Sequence, residues 1–109
     1  MPRDEVEAAY FALLRAEDEV ADLRRYHEVL LEEARRLRRF RSEGEALLDQ
    51  APAKLRRRLA HTEAPLHEAI KARLAFLEDE LARLPARQEA AEAFVISCRA
   101  EHDRLKRTA

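Results

Sequence analysis

Four histidines, one cysteine and 22 carboxylates are the chain's stock of groups able to ligate metal or move protons. Cys98 and His102 are four residues apart, so a helix would place thiol and imidazole on one face, within reach of a single ion. No third ligand stands beside them, and both fall on a heptad-spaced apolar stripe, where a free thiol is ordinarily packed and inert. His61, Glu63 and His67 flank Pro65 and converge only if the chain turns there; otherwise they cap and solvate the backbone. Iron sites in helical bundles are built on Glu-x-x-His, which this sequence does not contain. Ser42 and Ser97 lack the sharp strand-to-helix turn that exposes a hydrolase nucleophile. The single glycine, Gly44, leaves no Gly-rich loop to cradle a phosphate. The run Glu78-Asp79-Glu80 has the spacing of a solvated acidic face. The expectation is a chain that is not an enzyme, with no catalytic, cofactor-binding or metal-ligating residues.

Charge is more informative than chemistry. Residues 1–33 carry four cations and ten anions, residues 34–62 nine and three, and residues 63–109 eight and nine. In a helical hairpin the positive segment lies at the turn, where Arg35, Arg36, Arg38, Arg39 and Arg41 approach Lys54, Arg56, Arg57 and Arg58. Such an end suits phosphates or an acidic protein surface. Against a dedicated nucleic-acid binder stand the net charge of −1 and the pI of 6.4, which a DNA-binding domain would usually exceed. Phe40 is also the only nearby aromatic for stacking on a base. The ordinary alternative is a set of solvated faces with pairs such as Glu32–Arg36, Asp79–Arg83 and Asp103–Arg107 at i, i+4.

The elements that must position these groups are helices. One Gly and four Pro punctuate 109 residues of which 39% are charged, a composition for narrow apolar stripes on long helices. From Val6, apolar residues recur every seven positions in two registers. One is Val6, Leu13, Val20, His27, Ala34, Arg41 and Leu48, and the other Ala9, Ala16, Leu23, Leu30, Leu37, Gly44 and Ala51. This is the seam of a coiled-coil-like helix, which the spacing predicts over residues 3–49, about 70 Å at 1.5 Å per residue. The seam weakens at Arg41 and Gly44. A second seam reads Ile70, Leu77, Leu84, Ala91, Cys98, Leu105 and Leu74, Leu81, Gln88, Val95, His102, predicting a helix over 65–107 with Thr62 as its N-cap. Pro85 lies inside the pattern; the unbroken heptad phase favours a kink there over a break at Leu84. Pro52 and the stretch after it predict a short turn helix over 52–62. The result is an all-α fold, a long antiparallel helical hairpin forming one domain over 1–109.

A single Cys98 excludes an internal disulfide and fits a reducing compartment, so a cytoplasmic protein is expected. No apolar run is long enough to span a bilayer, and the first residues lack the order of a signal peptide, so no membrane contact is expected. Tyr10, Leu14, Tyr26, Leu31, Phe40, Phe76 and Phe94 lie outside the strict seams and are too many for two helices to cover. They are the candidate partner-binding residues. The expected function is a non-catalytic protein–protein interaction module, a coiled-coil adaptor, chaperone-like protein or regulatory subunit. It would complete a bundle with partner helices or with a second copy as a homodimer. The alternative is a nucleic-acid- or transcription-associated factor acting through Arg35, Arg38, Arg39, Lys54, Arg56, Arg57 and Arg58. His27 and Gln88, polar residues within the seams, are expected to fix register.

Overall fold

A computed structural model describes residues 2–108, with side chains from residue 4; Met1 and Ala109, the ends of the expected domain, lie outside the described residues. The chain is an all-α helical hairpin of two elements, α1 (Pro2–Gln50) and α2 (Ala53–Thr108). Only Ala51 and Pro52 stand between them. Asp4 and Glu5 in the first turn of α1, and Lys106 and Arg107 in the last turn of α2, oppose the partial charges of those helix ends.

The reversal needs no left-handed residue, since no described residue has positive φ. The Ala51 N–H donates back to the Leu48 carbonyl at 3.1 Å, tightening the last turn of α1. The Pro52 carbonyl accepts the first α2 bond from the Arg56 N–H at 2.8 Å. Pro52 thus occupies the N-cap position, where its missing N–H costs nothing.

The short helix expected over 52–62 does not exist as a separate element, and the second long helix does not begin at Pro65. Both belong to α2, which runs unbroken through Pro65 and Pro85. Thr62 is no N-cap; its hydroxyl donates to the Arg58 carbonyl one turn back, at 3.0 Å. An interior proline forfeits a backbone bond and crowds the preceding turn, typically at about 3 kcal/mol. Here the seam continues on both sides: Leu59 and Glu63 are half-buried before Pro65, and after it His67 is half-buried and Ile70 buried. Burial across several turns outweighs one lost bond. Pro85 likewise interrupts neither the helix nor the burial of Leu84, and the alternative break at Leu84 is not found. α1 also continues through Arg41 and Gly44 to Gln50.

The chain divides into two compact units. A turn unit holds residues 28–82, with Leu30, Ala34, Ile70, Leu74 and Leu77 buried. A terminal unit holds residues 1–27 and 83–109, with Leu13, Ala16, Leu23, Leu84 and Val95 buried. Every one of these ten residues is a seam position predicted from the heptads. Within the terminal unit the helices run antiparallel, because contacts pair rising with falling numbers: Tyr10 with His102, Glu17 with Arg99, Arg24 with Glu92.

Candidate functional site

On the turn unit the two helices expose two flanks beside their shared seam, and these differ sharply in chemistry. One flank is built from residues spaced alternately by three and four, so that they form a single row on each helix. In α1 the row is Val29, Glu33, Arg36, Phe40, Glu43 and Leu47; in α2 it is Leu55, Leu59, Thr62, Leu66, Ala69, Arg73, Phe76 and Glu80. All six exposed large apolar side chains of the turn unit stand in these rows: Val29, Phe40, Leu47, Leu55, Leu66 and Phe76. The opposite rows, Glu28, Leu31, Arg35, Arg38, Ser42, Glu45 and Asp49 with Lys54, Arg57, His61, Ala64, Glu68, Lys71, Ala75 and Glu78, hold one large aliphatic, Leu31, which is half-buried.

Contacts between helices tie the apolar rows together. Phe40, Leu47, Leu66 and Ile70 border a hollow of about 190 Å³ beside Gly44, whose remaining walls are the polar side chains Arg41, Glu43, Glu63 and His67. Nearer the open end, Arg73 reaches across to Glu33 with two parallel bonds, Nε to Oε2 and Nη2 to Oε1, the latter 2.9 Å. The hydrogen bonds from Arg73 hold the Glu33 carboxyl below its ordinary value, aided by the positive charges of Arg73 and Arg36 and opposed by desolvation. The same guanidinium lies 4.9 Å from the centre of the Phe76 ring. The charged flank is bridged instead by Arg38 and Glu78, 3.3 Å apart.

Within the turn unit the residues expected to bind a partner fall on two flanks: Phe40 and Phe76 share the apolar flank, while Leu31 lies on the charged one. In the terminal unit, Tyr10 is exposed, meets Phe11 edge-on at 5.7 Å and touches His102 at 5.6 Å. Leu14 is exposed on α1. Tyr26 is half-buried under Arg87, 5.9 Å from its ring centre. Phe94 is exposed beside Ala12, Arg15 and Glu19 in a shallow depression. A larger open depression over Val20 and Val95 is rimmed by the ion pairs Glu17–Arg99 and Arg24–Glu92, so its walls are charged. Val29, Leu47, Leu55 and Leu66 were not among the expected residues, although their three-and-four spacing from Phe40 and Phe76 is legible in the sequence.

The basic residues Arg35, Arg38, Arg39, Lys54, Arg56, Arg57 and Arg58 are all exposed on the turn unit. His61, Glu63 and His67 lie along a continuous helix, with Glu63 and His67 3.6 Å apart across one turn. The turn that would gather all three does not form. Cys98 packs beside Leu13, Ala16 and Val95. Among the described residues no three His, Cys, Asp or Glu side chains converge to hold a metal ion, and no helix is long and apolar enough to cross a membrane. No family model, no curated protein and no solved structure matches this chain.

Proposed function

We propose that this chain is a helical protein–protein interaction module that docks a partner polypeptide along the apolar flank of its turn unit. One observation carries the reading: six exposed large apolar side chains of that unit fall on one flank, and none on the other. Scattered apolar residues are normal on a surface, but six confined to one flank of paired helices have the form of a helix-binding face. Phe40 and Phe76 are the anchors, since large rigid side chains contribute most binding energy per residue ordered. The test is site-specific photocrosslinking in the native cells. A photoreactive residue at Leu47 should capture polypeptide, and one at Glu45, on the charged flank, should not. Equal capture from both positions, or none from Leu47, overturns the assignment.

A second reading rests on the basic turn segment, where residues 34–62 carry nine cations against three anions. It makes the turn a contact for nucleic-acid phosphates. A salt-sensitive shift of labelled DNA or RNA, abolished by replacing Arg56, Arg57 and Arg58 together, would support it. No shift at low salt removes it.

A further inference from the structure

We infer that the hairpin can open at Ala51–Pro52 and that two copies then exchange helices, the seam of each α1 being covered by α2 of the other copy. The fold itself fixes this partner, because an exchanged α2 meets the same residues that it meets in the closed chain. The inference does not depend on what docks on the apolar flank.

The first argument is that the turn lacks the chemistry of helix ends. At the outer ends Asp4, Glu5, Lys106 and Arg107 oppose the helix dipoles. At the turn the signs are reversed: the last turn of α1 holds Asp49 and no cation, and the first turn of α2 holds Lys54 and Arg56 and no anion. Each charge is repelled by the helix end that carries it. No Gly or Asn follows α1, and no Ser, Thr, Asp or Asn caps α2. A helix continuing through Ala51 and Pro52 has no ends here, so both conflicts vanish. It also offers the carbonyls of Asp49, Gln50 and Ala51 to the N–H groups of Ala53, Lys54 and Leu55, which are orphan donors at a helix start.

Pro52 does not bar a continuous helix. Its cost there is the bond to the Leu48 carbonyl and some crowding of the preceding turn. α2 already runs unbroken through two other prolines, Pro65 and Pro85.

The closed turn is also weakly held. The buried residues nearest to it are Ala34 and Ile70, and none between them is buried. Parting the helices there therefore exposes little that was dry. A connector of only two residues, Ala51 and Pro52, is at the short end of those that join antiparallel helices, and short connectors favour exchange.

The experiment uses the full chain, refolded from urea over a range of concentrations so that closed and exchanged forms equilibrate. Sedimentation should give a dimer whose share rises with concentration. Pro52→Ala, which restores the missing bond only in the straightened chain, should tighten the dimer by about tenfold or more. A short Gly/Ser insert between Ala51 and Pro52 should instead give a monomer of unchanged helix content, because a slack turn closes freely. Exchange is read by mixing two variants before refolding, both carrying Cys98→Ala, one with Arg38→Cys and the other with Glu78→Cys. Arg38 and Glu78 meet across the two helices, so a short bismaleimide should join the mixed chains, and the insert should abolish that product. A monomer at every concentration even in Pro52→Ala, a dimer that survives the insert, or mixed chains that do not join, overturns the inference.

Discussion

Arg73 of α2 holds Glu33 of α1 by a two-pronged guanidinium–carboxylate bond, and the same guanidinium covers the face of Phe76. One side chain thus clamps the two helices of the turn unit and fixes the ring at one end of the apolar flank. A Lys at this position would reach the carboxylate as a point charge, without the flat fork or the stacking.

The pH dependence of this clamp has a definite sign. Arg73 lowers the Glu33 carboxyl pKa in the fold, so the stabilisation is complete above the unfolded carboxylate range and is lost as pH falls through the folded value. Thermal melts of the chain and its Glu33→Gln variant should differ at neutral pH and converge on acidification. In Arg73→Ala, NMR titration should find the Glu33 carboxyl raised towards an ordinary value. A gap that widens in acid contradicts the assignment.

Truncation should separate seam from flank. Leu77 is fully buried and Leu47 is 69% exposed. Leu77→Ala should cost about 2–5 kcal/mol through lost burial and the cavity left behind. Leu47→Ala should cost only a small fraction of that in the monomer. Urea unfolding at low protein concentration measures both.

Gly44 sits inside α1 at a seam position, and a Cβ built there meets nothing within 4 Å. Gly44→Ala should therefore stabilise the fold by about 0.5–1 kcal/mol, because the helix no longer restrains a glycine. It should also make the hollow beside Phe40 shallower. A lower midpoint in urea would show that the glycine is required for a reason other than helix geometry.

His27 and Gln88 are half-buried on the two seams of the terminal unit. A polar residue in a seam trades stability for a defined register. His27→Leu should raise the melting temperature and broaden the distribution of oligomers seen by light scattering. A single unchanged species would count against a register role.

The heptad phase of this sequence by itself determined the stripe on which burial falls. The period of 3.5 carries one stripe along each helix whatever lies opposite, and all ten buried residues, from Leu13 to Val95, stand on it. Helix boundaries were less legible. Thr62 followed by Pro65 is a sound local start signal, yet α2 runs straight through it. Whether a helix survives an interior proline depends on burial several turns away, at Leu59, Ile70 and Leu74, which no local signal reports. Only the tertiary structure decided which flank each exposed apolar side chain occupies. Phe40, Leu66 and Phe76 belong together, and Leu31 does not, because pairing two helices around one seam creates two outer flanks that neither helix has alone.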